Sequence, residues 1–156
     1  MLSSFISPAS IKTGLESTER EECFAELLEL LVAENPALDR REAMQALINR
    51  EEKMSTAVFP GVAVPHALCS SAGDTLVAIG VSRSGIEFDS LEPETNPQHP
   101  VVNVVFEILF DEKDTETHLD VLRDILALVS NPDFVNKVLQ AKSSQEVYDL
   151  IESLEM

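Results

Sequence analysis

Three histidines, His66, His99 and His118, are the side chains of this sequence best suited to nucleophilic or acid–base work near neutral pH. His66 follows the short apolar run Val62-Ala63-Val64-Pro65 and precedes Ala67, which has almost no side chain. It therefore stands at an expected strand end, a common place for an exposed reactive group in an α/β sheet. Taken alone, such a histidine reads more simply as a ring satisfied by a nearby carbonyl. His118 falls in the first turn of an expected helix, with Leu122 and Ile125 continuing its face. A helix N-terminus has free N–H groups and partial positive charge, which suit an anion; the plainer reading is a half-buried ring packing on Leu122. His99, between Gln98 and Pro100 in a proline-rich stretch, reads as a solvated loop residue. Arg50 ends a helix just before Glu51 and Glu52 and reads either as a surface arginine paired with acids or as a guanidinium clamp on a phosphoryl group or carboxylate.

Other chemistries find less support. Cys69 lies three residues after His66, but no CxxC, HExxH or clustered carboxylate accompanies them, so no metal site is expected. A Cys69–His118 nucleophile pair has no local signature, and Cys69 reads as a small buried residue. There is no GxxxxGK[ST] and no GxGxxG, hence no dedicated nucleotide cradle, and no cofactor is expected. The acidic Asp111-Glu112-Lys113-Asp114 stretch reads as a solvated loop leading into a helix.

The elements that must position these residues follow from periodicity and punctuation. Ile11 to Leu15 reads as a short strand. Thr18 with Glu21 forms a capping signal, followed by Cys23, Phe24, Leu27, Leu28, Leu30 and Leu31 at helical spacing, and Asn35-Pro36 stops that helix. Asp39 and Glu42 repeat the capping pattern for a helix running to about Arg50. Short strands are expected at Thr56–Phe59 and Val62–Val64, divided by Pro60-Gly61, then at Leu76–Val81 and, after a Ser84-Gly85 turn, at Ile86–Phe88. Leu91 to Pro100 holds three prolines and reads as a surface loop. Val101 to Phe110 is the most apolar strand, central in a sheet covered on both faces. Three helices close the chain. The first runs from about Thr117 to Val129 with Leu119, Leu122, Ile125, Leu126 and Val129 inward. The second starts at Asn131-Pro132 and the third near Ser143, with Glu146 completing a capping box. This order implies an α/β or α+β layered domain, a mixed β-sheet with helices on both faces.

The chain has 156 residues, the size of one ordinary domain, with residues 1–8 expected to be a loose N-terminal segment. Eleven Lys plus Arg against 28 Asp plus Glu give a net charge of −17. Such a surface repels phosphate backbones and anionic lipid heads, which argues against nucleic-acid and membrane-surface binding and favours basic protein partners. Two cysteines build no disulfide scaffold and fit a reducing, cytoplasmic setting. Met1 to Ser10 lack the basic and apolar regions of a signal peptide, and no run is long enough to span a bilayer.

The run Arg50-Glu51, Ser55-Thr56 and Gly61-Val62-Ala63-Val64-Pro65-His66-Ala67 resembles, in order and spacing, the active-site signature of the type 2 enzyme IIA family of the bacterial phosphoenolpyruvate-dependent phosphotransferase system. That family comprises the fructose, mannitol and nitrogen-regulatory IIA domains. Gly85-Ile86-Glu87-Phe88, His118-Leu119 with Leu122, and the closing helices from Pro132 resemble it too, so the likeness runs over about residues 8 to 153. The resemblance implies a three-layer α/β sandwich and a phosphotransferase in which His66 carries the phosphoryl group. The donor would be the histidine phosphocarrier protein and the recipient a IIB component. A regulatory member would instead control a target protein through its phosphorylation state, and a degenerate homologue would not be phosphorylated. Arg50 and His118 would assist the phosphoryl group, and Thr56, Ser55 and Ala67 would support the site. Ala57, Phe59, Pro60, Leu68 and the long Leu91–Pro100 loop depart from the family pattern around the expected docking rim.

Overall fold

The computed structural model describes residues 1–156. Five strands form one mixed sheet: β1 (Ile11–Lys12), β2 (Val62–Ala63), β3 (His66–Leu68), β4 (Leu76–Glu87) and β5 (Val101–Phe110). The order is β1-β4-β5-β2, with β3 also on β5, so β2 and β3 share one edge of the central strand. β4 and β5 are antiparallel, and β1, β2 and β3 run parallel to their neighbours. One face is covered by α1 (Arg20–Glu34) and α2 (Arg40–Lys53). The other is covered by α3 (Thr115–Val129), α4 (Phe134–Gln140) and α5 (Ser144–Leu154). This is the three-layer α/β sandwich expected from the sequence.

Burial drives the layering. Phe106, Ile108 and Phe110 on β5 meet Val121, Ile125, Phe134 and Ile151 from α3 to α5. Val105 and Leu109 of the same strand meet Phe24, Leu27 and Leu47 from α1 and α2. Each fully buried side chain of this size contributes about 1.5–3 kcal/mol. The strand changes face near its start: the carbonyl of Gly61 accepts from both Asn103 N and Val104 N at 2.9 and 3.0 Å, a bulge that leaves Val102 on the α1–α2 side and Val104 on the other.

Several expected boundaries move for physical reasons. The cap of α1 is Glu19, whose carboxylate accepts from Glu22 N at 2.6 Å; Thr18 instead gives its carbonyl to Glu87 N. Thr56–Phe59 is not a strand, because Thr56 spends its N–H and hydroxyl on Glu51, and its carbonyl on Val58 N and Val64 N. The Ser84-Gly85 turn is an irregularity inside a continuous β4, held by Gly85 N donating to Ser82 Oγ and Asn103 Nδ2 donating to the Ser82 carbonyl. α4 starts at Phe134, because Asn131 Oδ1 takes the Asp133 N–H in a turn ahead of the helix. On α3 Val121, Ile125 and Leu128 are buried, Leu122 and Val129 pack partly buried against the same core as expected, and Leu119 and Leu126 are exposed. The first residues are not loose: Leu2 is fully buried, and Leu2 N and Ser3 N donate to the Glu155 carboxylate. No helix is long and apolar enough to cross a membrane.

Candidate active site

His66 opens β3, and its backbone is set by the residue before it. Proline has no N–H for a ladder, so the edge breaks at Pro65, whose carbonyl still accepts from Ile108 N at 2.9 Å. Pairing resumes with His66 opposite Ile108 and Leu68 opposite Phe110. Strand alternation then turns the His66 ring toward the α3 layer and Ala67 toward α1 and α2. Ala67 therefore packs under α2 and does not line the site.

The half-buried His66 ring makes one polar contact, from Nδ1 to the Val64 carbonyl at 2.7 Å. A carbonyl only accepts, so Nδ1 carries the hydrogen and Nε2 keeps its lone pair. Burial lowers the His66 pKa below the usual histidine value; the Val64 bond opposes this, and the charges of Arg50 and His118 add to it. The ring is thus neutral and nucleophilic at neutral pH. The carbonyl contact of the plainer sequence reading exists, and it leaves the second nitrogen free for chemistry.

His118 stands in the first turn of α3, a helix capped by Asp114, whose carboxylate accepts from Thr117 N at 3.0 Å. Its ring stacks on Phe110 with centroids 3.7 Å apart and planes 20° apart. Phe110 also meets the His66 ring edge-on at 6.2 Å, and the two imidazoles lie 6.0 Å apart. Phe110 is thus the shared wall that sets both rings, and burial lowers the His118 pKa as well. Arg50, in the last turn of α2, donates from Nη1 to the Met54 carbonyl at 2.8 Å. It lines a cavity of about 160 Å³ with His66, Val58, Leu122, Ile125 and Leu126.

The structure brings His66, His118 and Arg50 together and buries Ser55 and Thr56 behind them. Thr56 borders the cavity. Ser55 Oγ donates to the Asp89 carbonyl at 2.6 Å and accepts from Ala57 N, so it fastens the loop under the site. Cys69 lies in the opposite layer, its thiol donating to Glu42 at 3.1 Å and pushed up by burial, so it forms no pair with His118. His99 stays in its exposed loop near Glu87 and Asp89.

Two features escaped the sequence reading. Glu51 is buried at 3% exposure, and its position four residues after Leu47 on the apolar stripe of α2 was the available signal. An exposed apolar rim also surrounds the site. Val58 and Leu126 edge the cavity, Leu68 shares the His66 face of β3, and Leu119 follows His118. Their burial in the core was expected from helical spacing for the two leucines of α3.

A family model described as the phosphoenolpyruvate-dependent sugar phosphotransferase system, EIIA 2, matches residues 4–154. The chain belongs to that family. It is 31% identical over 142 residues to the fructose-specific EIIABC component of Bacillus subtilis strain 168, covering 91% of this chain and 21% of that protein. It is 31% identical over 125 residues to the fructose-specific EIIA component of Haloferax volcanii, covering 80% and 77%. The nitrogen regulatory protein IIA-Ntr of Neisseria meningitidis superposes with a TM-score of 0.84 at 24% identity, covering 96% and 98%, which shows the shared fold. The matched span 4–154 takes in Arg50, His66 and His118. Among the departures from the family pattern, Phe59 is partly buried against the α3–α5 core, and Leu68 is exposed on the rim.

Proposed function

We propose that this chain is a phosphocarrier that accepts a phosphoryl group on Nε2 of His66 from the histidine phosphocarrier protein and passes it to a IIB component in the cytoplasm. The carrying observation is the 2.7 Å Nδ1–Val64 contact, which leaves Nε2 as the nucleophile. The Nε2 lone pair forms a bond to phosphorus while the bond from phosphorus to the donor's ring nitrogen breaks, and the donor ring keeps that electron pair. The phosphorylated His66 ring, holding its Nδ1 proton, carries positive charge that the Val64 carbonyl stabilises. Transfer of this kind rests on positioning and charge neutralisation rather than covalent assistance. Arg50 and the positive end of α3 at His118 supply the neutralisation. With a net charge of −17, the protein repels free dianions, so the group comes from a docked carrier whose basic residues complement the acidic surface. The apolar rim supplies the dry contact.

Incubation with phosphoenolpyruvate, enzyme I and the phosphocarrier, followed by mass spectrometry, tests this. The wild-type chain takes one phosphoryl group, and folded His66→Ala takes none. Full labelling of His66→Ala would reject the assignment, and an unlabelled wild-type chain would point to a degenerate homologue. The likeness to the nitrogen regulatory protein of Pseudomonas aeruginosa, 23% identical over 150 residues, supports a second reading, a regulatory member whose phosphorylation state selects the protein it binds. Capture of a target other than a IIB component by only one phosphorylation state would establish it.

A further inference from the structure

We infer that Glu51 is the positioning residue of this site, holding the His66 imidazole in its Nδ1–H tautomer through Thr56 and Val64. The inference rests on the phosphocarrier reading of His66 and adds a group that touches neither the ring nor the phosphoryl group. The connection is continuous. Glu51 Oε2 accepts from Thr56 N and Oε1 from Thr56 Oγ1, both at 2.7 Å. The Thr56 carbonyl accepts from Val64 N at 3.0 Å, and the Val64 carbonyl accepts from His66 Nδ1 at 2.7 Å.

Each link fixes the next. Thr56 lies in an irregular segment outside the strands, where the two bonds to Glu51 anchor its N–H and side chain, and its carbonyl, in the next peptide unit, is held by Val58 N and Val64 N. Anchoring Thr56 at its N–H and hydroxyl sets the place from which its carbonyl meets Val64 N, and Val64 N and O belong to successive peptide units of one short, proline-bounded stretch. The location of the acid is unfavourable in itself. It is buried, and it sits in the last turn of α2, where the helix dipole disfavours negative charge. Burial pushes its pKa up, against the pull of the Thr56 donors and of Arg20 and Arg50. This buried acid at a helix C-terminus is compensated by the Thr56 donors and by the charges of Arg20 and Arg50, and the Thr56 bonds lead to the reactive ring.

Glu51→Ala removes both acceptors. Glu51→Gln is the rescue variant: its carbonyl accepts from Thr56 N while its amide donates to Thr56 Oγ1, which keeps the geometry without the charge. Two readouts apply. Long-range proton–nitrogen NMR on unphosphorylated protein reports the His66 tautomer, and transfer from the phosphorylated carrier reports rate and KM. In Glu51→Ala the Nδ1–H fraction falls and the transfer rate drops about 10–100-fold, the scale of a small misplacement of reacting groups. KM for the carrier stays put, because Glu51 is buried away from the rim. Glu51→Gln recovers most of both. A folded Glu51→Ala with wild-type tautomer and rate overturns the inference. Should that variant fail to fold, Thr56→Val, which deletes only the hydroxyl link, carries the same test, and an unchanged tautomer and rate there overturns it too. A tautomer shift in a chain that takes no phosphoryl group would support the positioning role while rejecting the phosphocarrier reading. Normal phosphorylation with an unmoved tautomer would do the reverse.

Discussion

Replacing Glu107 by methionine should stabilise this protein, and by an amount that grows with pH. Glu107 lies at the middle of β5, opposite Ala78, with no exposed surface, and neither carboxylate oxygen has a hydrogen-bond partner. It faces the α1–α2 layer near the Cys23 thiol, and Ser17 Oγ is a second buried, unpartnered polar atom. Burial is the single cause that raises its pKa, well above the ordinary 4.5. The folded state therefore holds the proton while the unfolded chain releases it. Stability from this group is complete below 4.5 and is lost as pH rises toward the folded value, at about 1.4 kcal/mol per pH unit. Methionine has similar volume and no polar atom, so it also removes the desolvation cost of an unpaired acid, about 1–3 kcal/mol. Urea unfolding of both proteins at steps from pH 4.5 upward measures the difference. Groups common to both, such as Glu26 and Glu42, each held at about 2, cancel in that difference. The advantage of the variant should widen by about 1.4 kcal/mol per unit from pH 5 to pH 6. Parallel curves, or a variant less stable throughout, would refute the reasoning and show that the carboxylate has a partner.

Gly85 has φ +92°, and an added Cβ would lie 2.2 Å from Val101 Cγ1, so Gly85→Ala should lose about 2–4 kcal/mol in denaturant titration. Leu126→Asp removes an exposed apolar contact beside the cavity; it should raise KM for the phosphorylated carrier at least five-fold while the melting temperature holds, because the residue is 47% exposed. Because burial lowers the His66 pKa, phosphoryl acceptance should keep its rate as pH falls through 6.5 and decline only below it. A decline centred at 6.5 in a pH–rate profile, measured under conditions where the donor is not limiting, would contradict the burial of this ring.

Much of the fold was legible because apolar spacing is local. β5 reads directly from Val101–Phe110, and the caps Asp39 and Ser143 act as their residue types predict, accepting from Glu42 N and Glu146 N. Legibility failed where a distant partner decides. Thr56–Phe59 has strand composition, but its polar groups are taken by Glu51 five residues earlier. Leu119 and Leu126 have core spacing, yet the surface they meet belongs to another molecule in the proposed reaction. His66, His118 and Arg50 could be selected by type and order, whereas the wall that aligns two of them, Phe110, read only as a core residue of β5. The orientation of Ala67 follows from strand parity once β3 is known to exist, and Pro65 concealed that strand.

The central claim is that the free nitrogen of one ring receives the phosphoryl group. Long-range proton–nitrogen NMR of the chain phosphorylated through enzyme I and the phosphocarrier tests it directly. The account predicts phosphorus coupling at Nε2 of His66, with Nδ1 still protonated against Val64. Coupling at Nδ1 of His66, or at any other side chain, would contradict it.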